Sequence, residues 1–495
     1  MENKVSVLKF GGTSVGSGER IRQVASIIAH AANGAEEHFP IIVVSAMAGV
    51  TDQLLKIARH TCTGEHERCE AELRLLRDKH IDAAVQVTCD DERRMKLFVQ
   101  IEEALTTLAQ DVAALCRAAQ RNDEVQLHTA AVAGWGERLS VLLVTAAVRD
   151  LGVATESVLQ EIIITSHPKN DTVQPLGVVV GADPLMEETR INAHALIAPL
   201  IERGIVPITV GFIGRTITGY VTTLGRNASD YCATVIGVAL GCAEVTIYTD
   251  VDGVLTADPR LVKNAQPLSR LSYAEAARLS WFGAKVLHPR TFIPVAPRNI
   301  PVRVRNTFNP HVRGTVVGPA ARMPSGARAI TTRRHLALIT VESTDLFGAP
   351  ENAGQIFALA ARADAAPIVI CSSSGHHLSF MVEEASADSV VALLQHDMDA
   401  STWRVRCRRN LAACACIGSG FNADPTSAAQ AINALASEDI PTITQGMSDQ
   451  AIILIVEDQD AESALRCLHR GLILIATIVP LVRHPTQQEK RREAR

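Results

Sequence analysis

The chain opens on a β-branched run, Val5–Phe10, and similar runs recur at Ile41–Ser45, Ile205–Val210 and Glu244–Thr249, separated by helical stretches. Between the first two, Arg20–Ala32 sets Ile21, Val24, Ala25 and Ile28 at helical spacing, which predicts one buried face. Strands alternating with helices predict parallel pairs covered on both sides, an α/β layered fold over residues 1–318. Within it, Glu65–Arg121 is charge-laced, strand-poor and rich in Leu and Ala. It reads as a solvated helical insertion, residues 62–125 in round terms, with no chemical role.

A linker rich in Gly, Pro and Arg, Gly314–Arg328, introduces a repeat: Pro367–Leu394 aligns without gaps onto Pro441–Leu468, an offset of 74. Ser374/Ser448, Val382/Val456, Glu383/Glu457, Ala387/Ala461 and Ser389/Ser463 match. Each copy reads helix, strand, turn, strand, helix, with Leu336–Glu342 or Leu411–Ile417 as a preceding strand. A repeated βαββα(β) unit predicts two α+β ferredoxin-like modules, at 330–403 and 404–484, between which strands can be exchanged. Such units leave a sheet edge open, so pairing with a neighbour is expected. The charged segment Gln487–Arg495, within a tail at 485–495, reads as disordered, and with so little chain after the second module no further catalytic half is expected.

Composition narrows the class. The 495 residues are 47% hydrophobic and 20% charged, which suits two to four packed domains and excludes general disorder. A net charge of −5 argues against a nucleic-acid partner. The longest apolar runs, Leu139–Val148 and Leu472–Val482, fall short of the roughly 20 residues of a membrane span, and no leader opens the chain. Eleven cysteines without a Cys-x-x-Cys imply a reducing, cytoplasmic location, with Cys414 and Cys416 as buried thiols.

Candidate chemistry sits at the strand ends. Lys9-Phe10-Gly11-Gly12-Thr13-Ser14 places a cation before a glycine turn and a helix start, which suits a transferred phosphoryl group, although an ordinary tight turn would look the same. The lysine precedes the glycines, so this is neither a Walker P-loop nor a Rossmann turn. The small-residue loop from Ser45 to Thr51 could share one cleft with it at the carboxyl edge of the sheet. In Gly134–Ser140, Glu137 stands at the start of an apolar helix, where it could simply complement the macrodipole. In Thr222–Asp230, Arg226 can grip a carboxylate, while Ser229 or Asp230 could be only a helix cap. Thr249-Asp250-Val251-Asp252-Gly253-Val254 follows a strand, and Phe282–Pro289 adds Lys285 and His288, the latter read as a helix-end histidine.

Each motif is modest alone, but in this order, from Lys9-Phe-Gly-Gly-Thr-Ser-Val to Phe282-Gly-Ala-Lys-Val-Leu-His-Pro, the set resembles aspartokinase, within the amino-acid kinase superfamily. The wording is nearest to the kinase half of the bifunctional aspartokinase–homoserine dehydrogenases. The resemblance implies an amino-acid-kinase three-layer sandwich followed by two ACT modules. It also implies transfer of the ATP γ-phosphoryl group to aspartate, the first step towards lysine, threonine and methionine. Lys9 and Asp230 would then be catalytic, with Asp230 steering Mg²⁺ or the phosphates and no protein cage for the metal. Lys9, Gly11, Gly12, Ser14, Thr249, Asp250 and Lys285 would bind ATP, with Tyr248 near the base. Ser45, Thr51, Glu137, Arg226 and Ser229 would bind aspartate. Asn352, Gln355, Ile370 and Gln445 mark the module junctions where lysine or threonine would act as effector, and the modules would mediate a homodimer or larger assembly. One departure stands out: Ala228 occupies a loop position where relatives generally carry glycine, which would strain the loop if φ were positive there. A catalytically silent amino-acid-binding regulator and a kinase of the superfamily with another substrate are the competing readings.

Overall fold

The computed structural model describes residues 4–35, 37–121, 123–168, 181–225, 228–284, 287–319, 325–344, 352–374 and 376–474. They form two units, the first made of Met1–Val254, Ser269–Tyr273 and Leu287–Ala320, the second of Leu255–Leu268, Ala274–Val286 and Ala321–Arg495. Arg226, Lys285 and the tail at 485–495 lie outside the described residues.

In the first unit the strands are β1 (Val5–Phe10), β2 (Phe39–Val44), β3 (Thr155–Val158), β4 (Ile164–Thr165), β5 (Val206–Val210), β6 (Ile213–Thr216), β7 (Val221–Thr223), β8 (Glu244–Thr249), β9 (Arg270–Ser272), β10 (Val302–Asn306) and β11 (Thr315–Gly318). Eight of them form one sheet in the order β3-β5-β2-β1-β8-β10-β11-β9, and β4-β6-β7 form a second. Every neighbouring pair in the large sheet is parallel except β10 with β11. Parallel strands covered on both faces need no polar alternation, and β1 is buried at all six positions. The carboxyl ends of β1, β2, β5, β8 and β10 therefore lie along one edge, with β1 among them.

The helices are α1 (Gly18–His30), α2 (Val50–Thr63), α3 (His66–Val87), α4 (Asp91–Arg121), α5 (Val125–Ala133), α6 (Trp135–Asp150), α7 (Met186–Glu202) and α8 (Ser229–Ala239). Ser17 caps α1, and its buried side chains include the expected Ile21, Val24, Ala25 and Ile28. The insertion is helical as expected, in α3 and α4. Val125–Asp150 is long and apolar enough to cross a membrane by composition, yet 83% of its apolar window is buried inside the protein. A helix apolar all round belongs in a core, and α6 is one.

The second unit contains α9 (Tyr273–Trp281), shared in sequence with the first, then β12 (Gly326–Ser343), α10 (Ala353–Arg362), β13 (Val369–Ser373), β14 (His377–Glu383), α11 (Glu384–Asp397), β15 (Trp403–Ser419), α12 (Pro425–Ala436), β16 (Thr444–Ser448), β17 (Ala451–Glu457) and α13 (Ala461–His469). Its sheet runs β13-β14-β12-β15-β17-β16, palindromic about the β12–β15 pair. The offset of 74 carries β14 onto β17 residue for residue. Both long strands pass between modules: residues 336–342 pair with β14 and 338–343 with 403–408, whereas 327–333 pair with 413–418. Ile330 accordingly lies in the core of the second module, and Val405 and Cys407 pack on that of the first.

Each crossing is marked by a residue with positive φ, His335 (57°) and Asn410 (56°). Arg333 pairs with Glu383 and Arg408 with Glu457, one pair for each crossing. The limit expected at 330 thus cuts through β12 and that at 403 falls at the start of β15, whereas 318 is the last residue of β11, close to the first unit's end at Ala320. The second unit also takes Ala257 and Val262 from the preceding zone into its core. Continuity of sequence is a poor guide where a strand completes its neighbour's sheet.

Candidate active site at the carboxyl edge of the large sheet

Lys9 is the penultimate residue of β1, opposite Val43 on one side and Ile247 on the other. It is 7% exposed, and its Nζ lies 2.5 Å from Asp230 Oδ1. The glycine turn follows directly. A Cβ on Gly11 would lie 3.6 Å from Lys9 Nζ, and one on Gly12 would lie 2.9 Å from the Ala46 carbonyl oxygen, too close for any side chain. The Ser45 N–H donates to the Phe10 carbonyl at 3.0 Å, so the loops after β1 and β2 are stitched together. Ser14 is fully buried, and its hydroxyl bonds Thr307 Oγ1 at 2.6 Å. Thr307 also donates its N–H to the Thr249 carbonyl, at 2.8 Å. Sequence reading missed Thr307; its signal was only its place one residue beyond a strand end.

Glu137 enters from the first turn of α6 and is 2% exposed. Burial pushes its carboxyl up to about 8, against the opposing effects of the Ala46 N–H bond, Arg138 and Lys9. Its Oε2 has no hydrogen-bond partner among the described residues. A buried carboxylate left half-satisfied is costly for the fold and suited to receiving a cation. Arg138, next in the motif, turns away to pair with Glu161 and lies over the Trp135 ring at 5.0 Å. The Cys232 thiol behind them is fully buried, and burial raises it, Glu137 and Asp230 adding to the rise and Lys9 opposing it.

The loop leading to α8 brings Ser229 to the ends of β2 and β5: a Cβ on Gly211 would lie 3.2 Å from Ser229 Oγ and 3.3 Å from the Val44 carbonyl oxygen. Neither Ser229 nor Asp230 caps the helix. The N-cap is Ala228, with no side-chain bond. Its φ of −83° answers the question raised by the missing glycine, because an alanine is unstrained there. Arg290, which sequence reading passed over, donates to the Leu224 carbonyl at 3.4 Å and stacks over Tyr231 at 4.9 Å. His288 is at a helix end, capping the start of a short 3₁₀ turn by accepting from the Arg290 N–H.

Thr249 and Asp250 end β8, Thr249 donating its hydroxyl to Asp250 at 3.1 Å, and Asp250 is exposed. Asp252 is occupied by Asn306 and Asn309. Tyr248, expected near a base, is 2% exposed and stacks on Phe10 at 4.7 Å, so in this structure it belongs to the core. Thr51 lies half-buried in the first turn of α2.

In the second unit Asn352 is the N-cap of α10, and Gln355 is exposed in the first turn. Ile370 (57% exposed) and the exposed Gln445 lie on the edge strands β13 and β16. A Cβ on Gly446 would lie 3.9 Å from Val369 Cγ1, so the two edge strands approach each other.

A parallel sheet with a buried lysine at its strand tip, beside glycine turns and followed by paired ferredoxin-like modules, is the architecture of an amino-acid kinase carrying ACT modules. The family model described as "Amino acid kinase family" matches residues 4–306, and one described as "ACT domain" matches residues 415–472. Over 504 residues the chain is 30% identical to Aspartokinase 3, chloroplastic, of Arabidopsis thaliana, covering 97% of this chain and 84% of that protein. The chain belongs to the aspartokinase family. It is also 31% identical to the Bifunctional aspartokinase/homoserine dehydrogenase 2, chloroplastic, of Arabidopsis thaliana, over 96% of this chain and 51% of that protein, so it spans about half the length of such relatives. The crystal structure of E. coli aspartokinase III in complex with aspartate and ADP (R-state) superposes with a TM-score of 0.75 at 28% identity, over 94% of this chain and 99% of that one. The same enzyme in complex with lysine and aspartate (T-state) gives 0.74 at 28% identity, over 95% and 100%.

Proposed function

We propose that the chain is an aspartate kinase, moving the ATP γ-phosphoryl group to the β-carboxylate of L-aspartate to give 4-phospho-L-aspartate. The observation that carries this reading is the buried Lys9 and Glu137 with the half-buried Asp230 paired to Lys9 at one sheet edge, in a chain similar throughout to a structure holding aspartate and ADP. Phosphoryl transfer is mostly positioning and neutralisation of spread negative charge. Lys9 neutralises charge on the transferring group, while Gly11 and Gly12 leave room for phosphate oxygens close to the backbone. Glu137 accepts the ammonium of aspartate on its open Oε2. Arg226 grips the α-carboxylate, with Ser45, Thr51 and Ser229 as hydrogen-bonding walls. Thr249, Asp250 and Lys285 line the nucleotide side. Ser14 acts there through Thr307 rather than by touching the phosphates.

Magnesium would be carried mainly by phosphate and water, as its reluctance to dehydrate requires, beside the Asp230 carboxylate that pairs with Lys9. Asp230 and Asp250 are the carboxylates that would steer it, and when bound it would neutralise phosphate charge. The modules would sense an amino-acid end product, lysine or threonine, at the junctions holding Asn352, Gln355, Ile370 and Gln445. They would also join subunits into a homodimer or larger assembly through their sheet edges. All eleven cysteines are free, which supports work in a reducing cytoplasm. With Ala228 unstrained, the silent-regulator reading loses its motive. ATP-dependent hydroxamate formation tests the assignment: turnover with aspartate and not glutamate is expected, and the reverse preference would end it.

A further inference from the structure

The helical insertion has one side chain in the loop that follows β2. On α3 the buried positions Leu76, His80, Ala83, Ala84 and Val87 form the docking face. Lys79, three residues beyond Leu76, borders that face. Its Nζ donates to the Ala48 carbonyl at 2.6 Å. Lys79 is half-buried, burial lowers its pKa, and it makes no ion pair among the described residues. A lysine with no carboxylate partner, held against a backbone carbonyl, is not the usual solvated surface cation.

Its neighbours show a built contact. Gln53 Nε2 donates to the Glu72 carbonyl at 3.0 Å, tying α2 to α3 beside it. On the other flank a Cβ on Gly18 would lie 2.7 Å from the Ala83 carbonyl oxygen, so α3 seats flush against the start of α1. The loop it reaches is held elsewhere by the Ser45 N–H on Phe10 and by the Ala46 N–H on the Glu137 carboxylate. Ala48 and Gly49 themselves are exposed, and Gly49 sits at φ +80°. Without Lys79 this outer end of the loop lacks a side-chain anchor among the described residues.

We propose that Lys79 is a positioning residue for the amino-acid substrate: through its bond to the Ala48 carbonyl, the helical insertion holds residues 45–49 in the shape that forms the aspartate side of the site. This rests on the aspartate-kinase reading. It gives the insertion a part in substrate recognition that its charge-laced, strand-poor sequence does not suggest.

The test compares Lys79→Met, which keeps the apolar stem, with Lys79→Arg, which keeps a donor cation, in the full chain. With aspartate and ATP varied separately, the Met variant should raise the aspartate KM about tenfold, the lower end for loss of a charge-assisted bond. Its ATP KM and kcat should stay within about twofold, and Arg should restore most of the loss. An unchanged aspartate KM, an equal rise in both KM values, or no rescue by Arg would overturn the proposal. Amide exchange supplies a readout independent of turnover: the Ala46 and Val50 amides should exchange about tenfold faster in the Met variant, from weaker local protection. If wild type fails to phosphorylate aspartate, the functional reading falls, and unchanged exchange at those amides would sink the positioning role separately.

Discussion

At the carboxyl edge of the first unit's sheet, Lys9 and Glu137 are buried within reach of each other's charge, and one Glu137 oxygen has no hydrogen-bond partner among the described residues. The core beneath β15 and β17 in the second unit is apolar: Cys414 and Cys416 are fully buried there, and burial pushes both thiols far up, that of Cys416 to about 12. At the strand crossings its cations stand in matched, half-exposed pairs, Arg333 with Glu383 and Arg408 with Glu457. Charge buried with incomplete pairing works against stability, so it persists where a ligand completes it. Charge paired at a half-exposed crossing contributes little energy and instead favours one strand path. The contrast separates a region arranged for binding from one arranged for register.

The strongest way to break that comparison is Lys9→Ala. Turnover should fall on the order of 10²–10³-fold or more while the melting temperature and far-UV circular dichroism stay near wild type. A variant retaining most of its activity would show that the buried cation is structural.

Glu137→Gln sharpens the comparison through pH. The folded carboxyl holds its proton to about 8, against an ordinary value of 4.5. Its contribution to stability is therefore complete below that ordinary value and declines as pH rises towards about 8. Wild type should lose melting temperature relative to the Gln variant over that window, and a pH-independent difference would contradict it. Binding runs the other way: aspartate's ammonium needs the ionised form, so the wild-type aspartate KM should fall as pH approaches about 8. Gln should weaken aspartate use about tenfold and abolish that pH trend.

The smallest effect belongs to the second unit. Cys414→Ser puts a hydroxyl into an apolar core and should cost about 1–3 kcal/mol in urea unfolding with kcat unchanged. A drop in kcat without destabilisation would show that the neutral core reaches the chemistry.

Much of this was readable along the chain. The strand runs ended where the site begins, the helix face of α1 was correct, and the 74-residue offset located both modules. Other features were hidden for identifiable reasons. The resemblance placed Ser14 on the nucleotide side; its bond to Thr307, 293 residues away, could not be read from the sequence. The two crossings share a short pattern, Arg333-Arg334-His335-Leu336 against Arg408-Arg409-Asn410-Leu411, but nothing local in it says that a strand changes module there. Ala228 could not be judged from its identity, because its strain depends on a dihedral angle.

Sequence alone determined the element types, the tandem repeat and the residues available for chemistry, because periodicity, glycine turns and motif order act over short distances. Tertiary structure decided which of those residues meet. The Lys9–Asp230 contact, the Glu137 environment, the strand exchange at His335 and Asn410 and the grip of Lys79 on Ala48 join distant segments. Burial and charge interaction are properties of the space around a group, and that space exists only once the chain has folded.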